Sequence, residues 1–554
     1  MNRREFVALG GAAILGNGTG QSSPVTDSSK AATVPASSPQ LNRGNQPNIL
    51  LLMADQLRMD CVGVYGNAAI RTPNMDRLAK EGVRFQCAYS TTPSCVPART
   101  ALLTGLGPWR NGKLGMGSWN MASNPYPVEK ARALSKAGYY AVAIGKNHYN
   151  PMRNAHGYHQ MHTDEHCSYW FHRTAPQAQA SAEDRCDYES WFWSQMPDKD
   201  PHATGMGWND YIGKPFAYPE KFHATQWTAD TAVHFLEQYD RPQPFFLKAS
   251  FIRPHSPYDP PERFYKMYEE GPLPTPQVGA WAKRFEPRSG AADNIWHGKV
   301  PPEVVRRSRQ SYYGNVSYVD EQMGRILEVL EKRKMFDDTL ILLISDHGDM
   351  LGDNNLWRKS YGYEQSAHIP MLMRPPSGMG LGPAGQVFTN PVELRDVLPT
   401  LLDAAGVPIP DSIEGKSLLH LVRTKGEGWR PYIDLEHDVE LSPSAWNGFS
   451  NGQWKYLYHA LDGEEQLFHL EKDPNELEDL AGVPEYTKEL QRWRGLMVEH
   501  LRERGPRWVR NGKLALRTES IPLSPNFPGY RPLQDELEAE SQFLEKNPGG
   551  AAKT

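Results

Sequence analysis

Four apolar runs stand out along the chain, and polar residues follow each of them. The runs are Asn48–Met53, Tyr140–Ile144, Phe245–Ile252 and Leu340–Ile344. Continuous apolar runs of this length, separated by longer segments, are typical of strands that are buried on both faces of a parallel sheet. We therefore predict that these four runs belong to one parallel sheet.

Helical patterns lie between and after these runs. Apolar residues recur at helical spacing over positions 73–80, 316–335 and 391–405. Pro399 lies inside the third segment, where a proline predicts a kink. The alternation of strands and helices predicts an α/β fold, in which helices cover both faces of a large, mostly parallel sheet.

The pattern changes toward the C-terminus. Short segments at 432–436, 454–459 and 466–470 predict antiparallel strands, and apolar spacing predicts a helix over 486–504. Together they predict a smaller C-terminal subdomain that consists of an antiparallel sheet and a helix. His437 follows the first of these strands; we expect a surface histidine, and the alternative is that it reaches the substrate pocket.

The N-terminal segment carries a twin arginine, Arg3 and Arg4, followed by a short, glycine-rich apolar run. This run is too short to span a bilayer, and its context resembles a twin-arginine export signal. We expect export by the twin-arginine machinery to the periplasm or the cell exterior. The predicted organisation is a signal and low-complexity linker (1–45), a main catalytic domain (46–425), and a C-terminal subdomain with a tail (426–554).

Composition narrows the possible functions. A formal net charge of −5 and a pI near 6.4 argue against a nucleic-acid partner, and no stable membrane span is expected. The number of cysteines is odd and no C-x-x-C pair occurs, so neither a disulfide framework nor a zinc cluster is expected. The five cysteines are Cys61, Cys87, Cys95, Cys167 and Cys186.

The polar residues after the four apolar runs point to one site. In open parallel sheets, ligands bind beyond the carboxyl ends of the strands, where such residues converge. Each residue alone could equally face solvent after a strand, but four strands with the same feature favour a shared site. The residues are Asp55, Gln56, Lys146, His148, His255, Asp346 and His347.

Four of these residues suit a divalent cation. Asp55 and Asp346 offer carboxylates, Gln56 offers an amide oxygen, and His347 offers an imidazole. Because oxygen ligands are in the majority, Ca²⁺ or Mg²⁺ is favoured over zinc.

The segment SCVPARTALLTG (94–105) predicts a short helix with Cys95 near its N-terminus. Free N–H groups and the helix dipole favour an anion close to the cysteine sulfur. Arg99, one turn further on, adds a guanidinium that suits a tetrahedral oxyanion. A buried structural cysteine is the alternative reading of Cys95.

Cys95, Pro97 and Arg99 form a C-x-P-x-R motif, which Thr104 and Gly105 extend with T-G. With this motif the sequence resembles the type I, formylglycine-dependent sulfatase family of the alkaline-phosphatase-like superfamily. The resemblance spans about 47–480 and implies an alkaline-phosphatase-like fold and the hydrolysis of sulfuric esters. Further matching segments are PNILLLMADQ, TPNMDRLAKEGVRF, AGYYAVAIGKNH, IRPHSPY, ILLISDHGDMLGD, LWRKSYGYEQSAHIP and LFHLEKDPNEL.

The resemblance also implies the roles of individual residues. Cys95 is expected to be oxidised to formylglycine by a formylglycine-generating enzyme, and its hydrate is the nucleophile that Arg99 orients. By the same resemblance, Lys146 and Lys359 neutralise the transferring SO₃ group.

Two histidines have roles implied by the same resemblance. His255 is expected to protonate the leaving oxygen, and His148 is expected to assist the release of sulfate from the formylglycine.

For the metal, the resemblance implies one Ca²⁺ per chain, with Mg²⁺ as the second choice. Asp55, Gln56, Asp346 and His347 are the implied ligands, together with the modified Cys95. Gln56 stands where many members of the family have Asp, and His347 stands where many have Asn. These departures leave two formal negative charges among the side-chain ligands, so the identity of the metal stays open.

Two other functions remain open alternatives. A phosphonate or phosphate monoester hydrolase of the same superfamily would share these features, because phosphate and sulfate esters are similar in shape. An inactive, glycan-binding relative is the non-enzymatic alternative.

The expected substrate is a sulfated carbohydrate, because the protein is expected to be exported and the segment 156–227 is rich in aromatic residues. These rings could contact sugars or form a small core of their own. They include Trp170, Phe171, Trp191, Phe192, Trp193, Trp208 and Tyr211.

Overall fold

The computed structural model describes residues 46–116, 121, 125–165, 185–438 and 445–530 of the chain. The predicted export signal and its linker therefore lie outside the described residues. The same is true of Cys167, Trp170 and Phe171.

An eight-stranded sheet forms the centre of the fold, in the strand order β4-β3-β5-β1-β6-β7-β2-β8. Within this sheet, β7 alone runs antiparallel to its neighbours, which are β6 and β2. The predicted large, mostly parallel sheet is therefore confirmed. The strands are β1 (Asn48–Asp55), β2 (Val83–Tyr89), β3 (Tyr140–Gly145), β4 (Gln160–Thr163), β5 (Phe245–Pro254), β6 (Thr339–Ser345), β7 (Met371–Arg374) and β8 (Gln386–Glu393).

The four predicted apolar runs are β1, β3, β5 and β6, and they are four adjacent strands of this sheet. All pairs among them are parallel. Their carboxyl ends therefore lie side by side at one edge, which is the arrangement that the site prediction required.

Helices cover both faces of the sheet, as predicted. Alternate residues of β1 enter two different cores: Leu51 packs with Leu398 and Leu401 on one face, while Leu52 packs with Val316 on the other. The helices longer than one turn are Pro73–Glu81, Cys95–Thr104, Lys130–Lys136, Asp187–Gln195, Ala224–Gln238, Glu262–Met267, Pro302–Lys332, Val397–Ala404, Leu418–Thr424 and Thr487–Leu501.

The predicted start of the helix over 391–405 was wrong. Residues up to Glu393 belong to β8, a short 3₁₀ turn follows, and the α-helix runs only over Val397–Ala404. The predicted kink was also wrong, because Pro399 lies in the first turn, where the backbone N–H groups have no partner within the helix. The helix predicted over 316–335 starts inside the longer helix Pro302–Lys332, and its predicted end lies three residues beyond the observed end.

A second, four-stranded antiparallel sheet lies toward the C-terminus, as predicted, in the order β12-β11-β10-β9. The helix Thr487–Leu501 packs Trp493 and Met497 against Phe449 of this sheet. The sequence did not predict β10, because Asn447 and Gly448 interrupt its apolar pattern. The strands are β9 (Ile433–His437), β10 (Trp446–Ser450), β11 (Trp454–His459) and β12 (Glu465–His469).

A two-stranded ribbon of β13 (Val509–Arg510) and β14 (Lys513–Leu514) completes the described strands. Among the described residues, no helix is both long enough and apolar enough to cross a membrane. The domain boundary at 425 stays a prediction.

Candidate active site

The edge formed by the four strand ends contains every site residue that the sequence singled out there. Each of these side chains is buried. Asp55 ends β1, and the others closely follow β1 (Gln56), β3 (Lys146, His148), β5 (His255) and β6 (Asp346, His347).

Cys95 begins the helix Cys95–Thr104 and points at this edge. Its Sγ atom lies 3.1 Å from His347 Nε2, 3.7 Å from Asp55 Oδ1 and 3.8 Å from Lys146 Nζ. Burial and Asp55 act to raise the pKa of the Cys95 thiol, but Lys146, Lys359 and His347 together bring it below its ordinary value. The thiol therefore lies in an electropositive position, as reactive cysteines do.

Arg99 lies below Cys95 and is engaged entirely by the protein. Its Nε donates to Asp346 Oδ2 at 2.8 Å, and its Nη2 donates to Asp55 Oδ2 at 3.1 Å. Its Nη1 donates to the Lys146 carbonyl and the Ser250 hydroxyl. Arg99 thereby fixes the orientation of both carboxylates that the sequence identified as metal ligands.

Four side chains form a group that fits a divalent cation. One ligand atom each from Asp55, Cys95, Asp346 and His347 lies within 4.8 Å of the others. His347 Nδ1 bonds to the Gly348 carbonyl at 2.9 Å, which leaves Nε2 facing the carboxylates. Burial opposes protonation of His347, yet Asp346 and Cys95 raise its pKa above the ordinary value. Two carboxylates and an imidazole around one point are a donor set that a metal of +2 charge would satisfy.

Gln56 completes this edge, and Asp349 determines the orientation of its amide. Gln56 Nε2 donates to Asp349 Oδ2, and Gln56 Oε1 accepts from Lys359 Nζ at 2.8 Å. Because a carboxylate only accepts hydrogen bonds, the Gln56 nitrogen must face Asp349 and the oxygen must face the site. Sequence reasoning missed Asp349, although it follows Asp346 closely in SDHGD.

Lys359 connects Gln56 to His255. Lys359 Nζ contacts His255 Nε2, and His255 Nδ1 bonds to the Ser256 carbonyl at 2.7 Å. Burial, and then the charge of Lys359, hold the pKa of His255 well below its ordinary value. Burial also lowers the pKa of Lys359. Since Nδ1 faces a carbonyl acceptor, a neutral His255 keeps its proton there and accepts from Lys359 through Nε2.

Lys146 and His148 occupy the other side of the site. Lys146 Nζ pairs with Asp55 Oδ2 at 2.6 Å. The backbone N–H groups of Asn147 and His148 both donate to Glu165 Oε1, a second residue that sequence reasoning missed. Burial, followed by Lys146, holds the pKa of His148 well below its ordinary value.

Four non-glycine residues in or next to the site have left-handed backbone conformations. The φ angle is 66° at Gln56, 60° at His148, 67° at Arg358 and 83° at Ser360, so Lys359 lies between two such residues. Each such conformation costs about 1–3 kcal/mol of backbone strain. Strained residues of this kind cluster at functional sites.

His437 is not the surface residue that the sequence predicted. It is 1% exposed, and its Nε2 lies 2.6 Å from the hydroxyl of Ser94, the residue before Cys95. Burial lowers its pKa to about 3. The prediction failed because β9 places this end of the second sheet directly against the start of the Cys95 helix.

The described aromatic residues of the 156–227 segment lie in more than one cluster. Tyr188, Phe192, Trp193 and Trp227 form a core of their own, and Trp208 packs against it. Tyr211 packs against Trp357 in a different cluster. Trp208 also contacts the site: its ring centroid is 4.2 Å from that of His255 and 4.7 Å from Lys146 Nζ.

Comparison with known proteins agrees with this geometry. The family model described as "Sulfatase" matches residues 47–407, and one described as "N-sulphoglucosamine sulphohydrolase, C-terminal" matches residues 352–503. The chain is 38% identical to an arylsulfatase of Clostridium perfringens, over 85% of this chain and 97% of that protein. It is 33% identical to a choline-sulfatase of Rhizobium meliloti, over 79% and 83% of the two chains.

Two further similarities bear on the substrate. The chain is 25% identical to an N-acetylglucosamine-6-O-sulfatase of Bacteroides thetaiotaomicron, over 83% of this chain and 87% of that protein. The crystal structure of a phosphonate monoester hydrolase of Agrobacterium radiobacter superposes with a TM-score of 0.66 at 26% identity, over 83% and 96% of the two chains. The resemblance read from the C-x-P-x-R motif is thus confirmed, and the chain belongs to the sulfatase family and is a sulfatase, an enzyme that hydrolyses sulfate esters.

Proposed function

We propose that this sulfatase removes sulfate from an exported or extracellular sulfated carbohydrate, with a formylglycine made from Cys95 as its nucleophile. The observation that supports this proposal is the position of Cys95 Sγ. It lies at a helix N-terminus, with Lys146 Nζ, His347 Nε2 and an Asp55 oxygen within 3.8 Å. The helix dipole and Lys146 favour a negatively charged group bound against this atom.

We assign the metal site to Asp55, Gln56, Asp346 and His347, with the modified Cys95. Ca²⁺ is the proposed ion and Mg²⁺ the second choice, because oxygen ligands predominate. A bound cation would supply Lewis-acid polarisation of a sulfate oxygen. Arg99 holds the two carboxylates in place for it.

The reaction consumes one water and converts the ester into an alcohol and free sulfate. The formylglycine would supply a hydrated aldehyde that takes up the sulfate and then releases it. Lys146 and Lys359 would balance the charge of the transferring SO₃ group. His255 and Lys359 share a contact at Nε2, so this pair would carry the proton to the leaving oxygen. His148 would assist the release of sulfate.

The carbohydrate substrate and the export are supported by separate observations. One relative is named as an N-acetylglucosamine-6-O-sulfatase, and Trp208 offers an aromatic surface at the site. The twin arginine at Arg3 and Arg4 supports export by the twin-arginine machinery. That machinery moves folded proteins, so the formylglycine-generating enzyme would act before export.

Hydrolysis of a phosphonate or phosphate monoester is the second candidate function. The likeness to a phosphonate monoester hydrolase favours it. The inactive, glycan-binding alternative is disfavoured, because every catalytic position that the family implies is filled and lies at one edge of the sheet.

Peptide mass spectrometry of the segment that contains Cys95 tests the proposed nucleophile. We expect an aldehyde in place of the thiol, and we expect Cys95→Ala to remove turnover without unfolding the protein. Cys87→Ala is a matched control, since Cys87 lies outside the site; it should leave both aldehyde and turnover unchanged. Full activity with an intact Cys95 thiol would contradict the mechanism, and faster turnover of an aryl phosphonate than of an aryl sulfate would favour the second candidate.

A further inference from the structure

Lys248 is a buried lysine in the middle of β5, and the proposed reaction gives it no role. The residue is 1% exposed. Its Nζ atom donates to the side-chain oxygen of Asn147 at 2.8 Å and to the carbonyl of Lys146 at 3.3 Å, and neither acceptor is a carboxylate. Burial, and then the charges of Lys130 and Arg99, hold the pKa of Lys248 well below its ordinary value. Placing an amine here costs free energy, and this cost favours a functional reason for Lys248.

Both acceptors belong to the turn that follows β3 and carries Lys146 and His148. Asn147 lies between these two residues and is completely buried, and its Nδ2 donates back to the Gly145 carbonyl at 2.9 Å. The turn is strained, since His148 has a φ angle of 60°. A strained backbone of this kind persists only where the surrounding structure holds it in place. The contacts of this turn therefore decide where the His148 side chain lies.

Glu165 and Lys248 hold this turn through different groups. Glu165 Oε1 accepts the backbone N–H groups of Asn147 at 2.6 Å and of His148 at 3.0 Å. Lys248 instead donates to the Asn147 side chain and to a carbonyl of the turn. Without the Lys248 amine, the buried Asn147 oxygen would lose this donor. An unsatisfied buried acceptor is costly, so its loss favours a rearrangement of the turn.

Lys146 depends less on Lys248 than His148 does. Lys146 Nζ pairs with Asp55 Oδ2 at 2.6 Å, and the Lys146 carbonyl also accepts from Arg99 Nη1 at 2.7 Å. Both contacts remain when the Lys248 amine is removed. We therefore expect a change at Lys248 to act mainly on His148.

Resting on the proposed role of His148 in the release of sulfate, we propose that Lys248 is a positioning residue that acts through Asn147 to hold His148 in place. Lys248 then contributes to turnover without contact with the ester. Since it affects the geometry of one catalytic step, its loss lowers kcat and leaves KM almost unchanged. Its effect also requires His148, because an enzyme without His148 has no side chain there for Lys248 to position.

Lys248→Met tests this proposal, because methionine fills a similar space and lacks the amine. Asn147→Ala is a second variant, which removes the acceptor instead of the donor and decides the question if Lys248→Met does not fold. Lys130→Met is the matched control. Lys130 is as buried as Lys248, and burial lowers its pKa to about 7, but it has no hydrogen bond to the turn among the described residues. Peptide mass spectrometry gives the formylglycine content of each preparation, and turnover is expressed per modified chain.

Turnover of 4-nitrophenyl sulfate is the first measurement. We expect Lys248→Met and Asn147→Ala each to lower kcat about 10- to 100-fold, with KM within about threefold of the wild type. Lys130→Met should keep kcat within about twofold of the wild type. When Lys248→Met is added to His148→Ala, it should cost less than about a further twofold in kcat.

Hydrogen exchange of backbone amides is the second measurement, and it requires no activity. The N–H groups of Asn147 and His148 should exchange about 10-fold faster in Lys248→Met than in Lys130→Met. Unchanged exchange of these amides would overturn the inference. Faster exchange with an unchanged kcat would overturn it as well, because Lys248 would then only stabilise the turn, and so would a full further loss of kcat on top of His148→Ala. Wild-type turnover in His148→Ala alone would contradict the proposed role of His148, and this inference with it.

Discussion

Replacing Asp349 with Asn tests whether this buried carboxylate prepares Gln56 to bind metal. Asp349 accepts three hydrogen bonds from buried donors: Gln56 Nε2, the Tyr258 hydroxyl and the Leu351 N–H. An asparagine has one acceptor oxygen and one NH₂ donor group. In Asp349→Asn, at least one of these donors must therefore face another donor.

The magnitude follows from the two positions that the new NH₂ group can take. At the position of Oδ2 it faces Gln56 Nε2 and the Tyr258 hydroxyl, and a hydrogen bond to a charged acceptor is lost, which costs about 1.5–3 kcal/mol. At the position of Oδ1 it faces the Leu351 N–H, and Gln56 keeps an acceptor that no longer carries a charge. Either arrangement weakens the interaction that orients the proposed ligand, and loss of such a supporting partner weakens metal binding about 10- to 100-fold.

Calcium titration by isothermal calorimetry, on protein stripped with a chelator, measures this effect directly. Tyr258→Phe is the matched control, because it removes another donor to Asp349 Oδ2 and keeps the Gln56–Asp349 hydrogen bond. We expect its calcium affinity to stay within about threefold of the wild type. If Asp349→Asn folds normally and binds calcium as tightly as this control, Asp349 does not orient Gln56.

Three further predictions concern export, the leaving group and acid stability. Replacing Arg3 and Arg4 with Lys should retain active enzyme inside the cell, as fractionation would reveal; unchanged export would contradict the signal. His255→Ala should cost about 10²- to 10⁴-fold in kcat/KM on a sulfated sugar but far less on 4-nitrophenyl sulfate, whose leaving group needs little protonation; equal losses would remove His255 from the acid role. Burial lowers the pKa of His437 to about 3 in the folded protein. Below the ordinary histidine pKa of about 6.5, His437 takes up a proton in the unfolded chain but not in the folded protein. The free energy of unfolding therefore falls as the pH drops from about 6.5 toward 3. The share of His437 in this loss is about 2 kcal/mol at pH 5. His437→Gln should reduce, by that amount, the difference in unfolding free energy between pH 7.5 and pH 5 in denaturant unfolding; an unchanged difference would show that His437 does not contribute.

The apolar runs predicted four adjacent strands of the central sheet and the end of these strands that carries the site. Long apolar runs report burial on both faces, and the polar residues directly after them must lie at the carboxyl ends of parallel strands. Asp55, Lys146, His255 and Asp346 could therefore be grouped without knowledge of the strand order. Cys95 was added to this group through the resemblance to the sulfatase family that its C-x-P-x-R motif carries.

Helix limits were predicted less well where two patterns overlap. The segment 391–405 is apolar at helical spacing, yet it begins in β8 because pairing with β2 buries that part of the chain. Propensity and spacing report local preference, and a strand partner just over 300 residues away along the chain can override them. The same limitation left β10 unpredicted.

The distant residues that support the site could be identified only from the fold. Asp349 orients Gln56 across 293 residues of chain, and His437 reaches Ser94 across 343. Trp208 contacts the His255 ring and also packs against the core that contains Tyr188 and Phe192. A single sequence contains no period or spacing that reports such pairs, because their proximity arises from the order of the strands and the packing of the second sheet. The chemistry was therefore visible in the sequence, while the contacts that orient it became visible only in the fold.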